Sequence, residues 1–367
     1  MPLQVELAAP ADDPGIRGLC RSEAMPGAIV LRYEREPDFS LGCRVTGDEF
    51  QVLVAREAQS GEIAAVACRS TRQVFLNGAP RRLGYLGQLR VGRRFRGRWL
   101  VSRGFDMLRR LHEQDSVPAY LVSIVDGNEE AAGILVRKAR PSFPSFQPVA
   151  DLHTVAIFLD RKVPSSDRDI FIASASFRDL KEIAAFLAVH GSRKQFFPVW
   201  TESSLAGLAS LGLNLGDIRI LRKNDEILAV GALWDQSGYK QTVVQSYVGW
   251  RKAAAAAYNL GSFCFGRPGL PKPGERLRSA YASLLAVACD DCAIFAALLR
   301  DLYNRALDFG YAYFLVGLDA RDPLLATAKK YRHVLYSSRL YLVSWPNGEK
   351  LHEQLDRRIA GVDIATL

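Results

Sequence analysis

Residues 119–129, AYLVSIVDGNE, and residues 312–322, AYFLVGLDARD, start with the same Ala-Tyr pair, run apolar and reach Asp in the same place, at an offset of 193. Each follows a segment with helical spacing, and each of those follows a related strand-like stretch, YLGQLRV at 85–91 and YASLLAV at 281–287. Solenoid repeats have periods of roughly 20–50 residues. An offset this long instead implies two copies of one domain, which a chain of 367 residues is long enough to hold. The polar stretch RKVPSSDRD at 161–169 carries Pro and Ser and reads as the linker, giving domains 1–162 and 163–367.

The spacing predicts a mixed α/β chain in each half. LQVELAA opens as a strand, and a polar segment with Pro and Gly runs to about Pro26. FQVLVARE, EIAAVACRS, QVFLN and RLGYLGQLRV read as strands, with QSGE and NGAP as turns. Leu100, Phe105, Leu108 and Leu111 fall on one helical face. AYLVSIVD is a continuous apolar run, as expected of a strand covered on both faces. A helix over GNEEAAGILVRKA and one or two strands over VADLHTVAIFLD close the first half. The second half repeats this order, with Thr201 expected to cap a helix and KND at 223–225 to turn a hairpin. GSFCFGRPGLPKPGER, 261–276, is its one long irregular stretch.

Charge is concentrated in one place. The net charge is +9, and between Ile63 and Phe105 there are ten arginines, no lysine and no acid. Four of them lie in RRFRGRWL, 93–100, where a strand gives way to a helix. The first turn of a helix leaves amides without partners and carries partial positive charge, so such a junction suits an anion. Gly97 leaves the backbone open to close approach, and forked guanidinium groups match phosphate oxygens. There is no Gly-rich loop ending in Lys-Ser/Thr and no G-x-G-x-x-G.

The stretch resembles the acyl-CoA pyrophosphate loop of the GCN5-related N-acetyltransferase superfamily, R/Q-x-x-G-x-G/A. Arg94 and Gly97 match, and Trp99 stands where a small residue is usual. After the strand ending at Asp126, Asn128 and Ala131 match the superfamily's Asn-x-x-Ala-x-x-x-Tyr-x-Lys, with Leu135 in the Tyr place and Arg137 in the Lys place. The resemblance covers residues 1–160, and 168–346 in outline. It implies two tandem acyl-CoA N-acyltransferase-like domains and acetyl transfer from acetyl-CoA to an amine, without a metal. It implies that the backbone of Leu89, Arg90 and Val91 pairs with pantetheine and that amides from Arg96 through Gly97, Arg98 and Trp99 to Leu100 hold the pyrophosphate. Arg94 or Arg98 would reach its oxygens, and Asn128 would lie near the acyl arm. The second half has ACDDCA in the matching place, acidic and without glycine, so only one cofactor site per chain is expected.

Other readings remain beside this one. A CoA sensor without turnover fits the missing Tyr, and an Arg-rich nucleic-acid surface fits the charge. The arginines lack the interleaved aromatics of a single-strand platform. Tyr85, Tyr120, Glu57 and Asp126 are candidates for proton transfer, and none is singled out. Cys289 and Cys292 occupy the context of a redox pair, but Asp290 and Asp291 between them oppose a thiolate, and two half-buried thiols are expected. The five histidines have no metal-ligand spacing. The amino terminus has no basic start followed by an apolar core, no run has the roughly 18–20 apolar residues of a span, and a cytoplasmic address is expected. The acceptor and the oligomeric state are not readable at this level.

Overall fold

The computed structural model describes residues 3–25, 27, 29–97, 100–137, 143–164, 171–254, 259, 270–345 and 350–367. In the first half β1 (Leu3–Leu7), β3 (Glu49–Glu57), β4 (Ile63–Leu76) and β5 (Ala79–Val91) form an antiparallel run. α1 (Asp13–Ser22), β2 (Ile29–Glu34) and α2 (Phe39–Arg44) lie between β1 and β3. α3 (Leu100–Gln114), β6 (Tyr120–Val125), α4 (Glu129–Ala132) and β7 (Ser145–Phe158) follow. The second half carries β8 (Phe171–Ser174), α5 (Leu180–Gly191), α6 (Glu202–Gly207), β9 (Ile218–Lys223), β10 (Glu226–Trp234) and β11 (Gln241–Tyr247). It continues with β12 (Ser279–Val287), α7 (Cys292–Asp308), β13 (Tyr313–Asp319), α8 (Leu325–Ala328), β14 (His333–Ser344) and α9 (Leu351–Gln354).

Twelve strands form one sheet in the order β1-β3-β4-β5-β6-β14-β7-β13-β12-β10-β9-β8. The order is symmetric about its centre. β5 with β6 and β12 with β13 are parallel, and the other pairs are antiparallel. β6 and β13 are the two segments related by the offset of 193. The closing strand of each half crosses over: β14 pairs with β6, β7 pairs with β13, and β14 and β7 run together from His333–Ile157 to Ser344–Ser145. The two halves therefore share one sheet rather than abutting as two. β2 and β11 add a separate ribbon, Glu34 opposite Gln241 and Ile29 opposite Tyr247, that ties an insertion in one half to an insertion in the other.

Both parallel pairs separate soon after they begin. β5 and β6 pair only at Gly84–Tyr120 and Tyr85–Leu121, and β12 and β13 at Ser279–Tyr313, Ala280–Phe314 and Tyr281–Leu315. The outer strands explain the splay. A bulge shifts the β4–β5 register between Val66 and Cys68, and another shifts β10–β12 between Val230 and Ala232. A residue of positive φ sits at each, Gln88 at 57° and Leu284 at 55°. A bulge bends and twists its strand away from its neighbour, so each half has a V-shaped opening beside its bulge.

Most elements follow the expected pattern. Leu100, Phe105, Leu108 and Leu111 are buried on α3, Thr201 caps α6 through Ser204 N, and Asn224 and Asp225 turn the β9–β10 hairpin. EIAAVACRS and QVFLN are one strand rather than two, and VADLHTVAIFLD belongs to one 14-residue strand. The polar segment before Pro26 contains α1, because Ile16, Leu19 and Cys20 bury one face against β4 despite two glycines. GNEEAAGILVRKA is helical only over Glu129–Ala132 and continues as a π turn to Arg137. Most of the 261–276 loop lies outside the described residues.

The second opening is filled by the chain itself. Ile364 lies against Gly317 of β13, where a Cβ would sit 2.1 Å from its Cγ2. Asp363 accepts from Ser283 Oγ and from the bulge amide of Leu284, at 2.9 Å, on β12. Ala360 N donates to Asp319 Oδ2 at 2.9 Å. Gly317→Val should lower the unfolding free energy by about 1–3 kcal/mol, the usual cost of overpacking, as measured by urea denaturation. An unchanged midpoint would mean that residues 360–364 do not hold this seat.

Candidate functional site

At the first opening, β5 leads into a 3₁₀ turn, Arg93–Phe95, and α3 begins at Leu100. Gly97 has φ 78°, a conformation that favours glycine, and open space where a Cβ would be. Phe95 is buried beneath the turn with Leu3, Ala64 and Leu100. Glu23, at the end of α1, accepts from Arg93 N at 2.9 Å and fixes the turn from below. Arg98 and Trp99 lie outside the described residues.

The arginines are not without acids, as the sequence alone suggests. Arg96 bridges Glu23 and Glu130, both at 3.0 Å, and Arg94 pairs with Glu62. These glutamates come from α1, the β3–β4 turn and α4, which the fold brings to one junction. The Arg94–Glu62 and Arg96–Glu130 pairs are solvent-exposed. Such pairs contribute about 0–1 kcal/mol, so an anion of higher charge can displace them.

Leu89, Arg90 and Val91 lie on β5 beyond its pairing with β6, and Arg90 and Val91 pair on the other side with Val66 and Ala65 of β4. Their edge toward β6 thus faces the opening. Leu89 and Val125 are exposed at its two lips. The Arg90 guanidinium stands over the Tyr33 ring at 5.8 Å. Asn128 follows β6, and its Oδ1 caps α4 by accepting from Ala131 N at 3.1 Å. That placement puts Asn128 at the mouth of the opening with its oxygen already engaged.

On the face of the sheet covered by α1 and α2, a second set of residues gathers beside the β5 bulge. Gln88 Oε1 accepts from Arg35 Nε at 3.3 Å and Nη2 at 3.0 Å. The Tyr85 ring covers Gly87, and Cys68 is opposite Gly87 on β4. Lys240, just before β11, donates to the carbonyl oxygen of Ala365 at 3.5 Å and to an oxygen of Leu367, the last residue of the sequence, at 3.3 Å. Burial raises the pKa of Tyr85, Tyr281 and Tyr33. Burial, then the Arg35 charge, pushes Lys240 down to about 7. Sequence reading missed Arg35 and Lys240, each a lone basic residue in an otherwise uninformative segment.

The other proton-transfer candidates are separated. Tyr120 Oη accepts from Arg69 Nε at 3.1 Å and lies 3.0 Å from His112 Nδ1, beside a cavity of about 320 Å³ at the closed end of the first opening. Glu57 is buried and accepts from Ser60 Oγ at 2.5 Å. Asp126 is exposed. Cys289 and Cys292 are free and exposed rather than half-buried. In ACDDCA, Asp291 caps α7 by accepting from Ala293 N at 2.7 Å and Ile294 N at 3.1 Å. That carboxylate occupies the amides which a second pyrophosphate would need.

No family model matches the sequence, and no curated protein matches it. Solved structures do. The GCN5-related glucosamine N-acetyltransferase region of a fungal multi-domain GH3 β-N-acetylglucosaminidase matches with a TM-score of 0.63 and 16% identity, over 93% of this chain. This chain spans 38% of that one. Saccharomyces cerevisiae N-myristoyltransferase with bound myristoyl-CoA also scores 0.63, at 11% identity over 93% of this chain and 82% of its own. A GCN5-related N-acetyltransferase from Sphaerobacter thermophilus scores 0.53, at 15% identity over 100% and 98%. The fold is that of the GCN5-related N-acetyltransferase superfamily, in tandem. At these identities the likeness concerns architecture, and the site must be argued from this chain's own residues.

Lys240 offers a test of that site. The unfolded chain holds the lysine proton up to about its ordinary value of 10.5, while the folded protein releases it near 7. Between those values the unfolded state binds more protons, so this residue makes stability rise with pH; below 7 both states are protonated and the contribution is level. The stability of wild type minus that of Lys240→Met should therefore climb from pH 7 to 10.5 in urea titrations. A flat difference would mean that Lys240 keeps its proton in the folded protein, through water or through the Leu367 oxygen 3.3 Å away.

Proposed function

We propose that the chain is an acyl-CoA-dependent N-acyltransferase that moves an acetyl group from acetyl-CoA to an amine. The observation that carries this reading is the contrast between the two openings. One is lipped by Leu89 and Val125 and ends at a glycine turn ringed by arginines. The other is packed with residues 360–364 and capped by Asp291. The two halves, which we divide as 1–162 and 163–367, thus take a cofactor-binding and a supporting role. The choice of acetyl rests on the two acetyltransferases among the compared structures, and a cytoplasmic address is in keeping with the five free thiols among the described residues.

In this reading the pyrophosphate sits on the amides from Arg96 to Leu100, with Arg94 or Arg98 at its oxygens and Gly97 leaving room. Pantetheine lies along Leu89, Arg90 and Val91 as an added strand, passing Asn128. The thioester then rests at the Gln88 bulge. The amine nitrogen attacks the thioester carbon, the C–N bond forms as the C–S bond breaks, and the proton lost by the amine ends on the CoA thiolate. Tyr85, whose ring covers Gly87 beside the bulge, is held protonated by burial.

Calorimetric titration of acetyl-CoA should give one site per chain. Gly97→Glu should weaken it at least about tenfold, or 1.4 kcal/mol, relative to Gly97→Gln, which carries the same backbone strain without the charge. Two sites would show that the second opening empties. Equal affinities in the two variants would move the pyrophosphate away from this turn, and no binding to wild type would end the acyltransferase reading.

A further inference from the structure

Gln88 has a φ of 57° at the β5 bulge, and Leu89, Arg90 and Val91 follow it along the lip of the first opening. A residue other than glycine is rarely left-handed, because its Cβ crowds the following carbonyl oxygen. Such a conformation persists only where the surroundings hold it.

The hold on Gln88 comes from Arg35. Its Nη2 and Nε donate to Gln88 Oε1 at 3.0 and 3.3 Å, and its Nη1 donates to Glu34 O at 2.8 Å. Among the described residues no other side chain hydrogen-bonds that of Gln88. Tyr33, which precedes Glu34 on β2, meets the same lip with its ring under the Arg90 guanidinium. These contacts are to side chains, so the main chain that pantetheine would pair with is not used by them.

The segment that carries Arg35 is itself fixed from the other half. Gln241, 3% exposed, lies opposite Glu34 in the β2–β11 ribbon. Its side chain brackets Glu36: Oε1 accepts from Glu36 N at 3.0 Å, and Nε2 donates to Glu36 O at 2.7 Å. Arg35 lies between these two anchored residues. α2 packs on its stem, since a Cβ on Gly42 would be 3.6 Å from Arg35 Cδ. Arg17 and Arg21 of α1 pair with Glu36 from the first half.

We propose that Arg35 is a positioning residue that holds Gln88 in the left-handed conformation keeping the cofactor opening splayed, and that Gln241 of the second half sets Arg35 in place for this. The proposal rests on the acyltransferase reading given above. Without Arg35, β5 is free to straighten toward β6, and acyl-CoA must re-form the bulge as it binds. Apparent affinity then falls with the fraction of molecules in which the bulge is still formed. The second half thus contributes to cofactor binding through the hydrogen bonds of Gln241 rather than through a site of its own.

The test is a double-mutant cycle read by calorimetric titration of acetyl-CoA. Arg35→Met should weaken binding at least about fivefold, the scale of the cost of a left-handed residue. Glycine takes that conformation without help. The same Arg35→Met change made in Gln88→Gly should therefore alter affinity by less than about twofold. Gln241→Leu should weaken binding in wild type and, like Arg35→Met, lose its effect in Gln88→Gly. Unchanged affinity in Arg35→Met overturns the proposal, and so does an equal loss in both backgrounds, which a general structural role would give. If circular dichroism shows that Arg35→Met does not fold, Gln88→Ala against Gln88→Gly carries the test. Both lack the acceptor for Arg35, and only the alanine is strained at positive φ, so the alanine variant should bind at least about fivefold more weakly. Equal affinities of these two overturn the proposal. Failure of wild type to bind acetyl-CoA would instead strike the acyltransferase reading.

Discussion

The exchange of closing strands is the constraint on which the rest depends. β14 lies between β6 and β7, and β7 lies between β14 and β13, so neither half completes its own sheet. A strand that leaves its own half exposes an edge, and unpaired edges are a liability for any sheet. Here each lent strand fills the edge left by the other. Leu340 and Leu342 of β14 join Leu121 of β6 and Leu152 of β7 in one core, so the centre of the molecule is shared in packing as well as in hydrogen bonds. The positions of both openings are inherited from that centre, because β6 and β13 are held on one side by borrowed strands and are left to diverge on the other.

The divergence then needs only a local cause. One residue of positive φ in β5 and one in β12 bend the outer strands away. Two duplicated openings begin alike and end differently because their ends have different sequences. RRFRGRWL supplies glycine and guanidinium groups, whereas ACDDCA supplies a carboxylate that caps α7. The bulge at Gln88 and the turn at Arg93–Phe95 follow one another at the end of β5.

Much of this was legible in the chain. The offset of 193 located β6 and β13, and the arginine turn was found at its strand-helix junction. What escaped had physical reasons. α1 contains Pro14, Gly15 and Gly18, which depress the helical signal, and only packing of Ile16, Leu19 and Cys20 on β4 reveals it. The acids around the arginines come from three other segments, so a window from 63 to 105 could not count them. Arg35 and Lys240 are 205 residues apart, and no local pattern records that the ribbon of β2 and β11 places them together. The crossing of β7 and β14 is equally silent, since each reads as an ordinary closing strand of its own half.

The packing of residues 360–364 into the second opening has a meaning for how a duplicated domain survives. An opening left unfilled forfeits the packing contacts of the atoms that line it. This copy carries an internal occupant, with a carboxylate at the bulge amide and an isoleucine against Gly317. Residues 360–364 thereby tie β12 and β13 together where the two strands diverge, so the second opening adds contacts to the shared sheet instead of a gap.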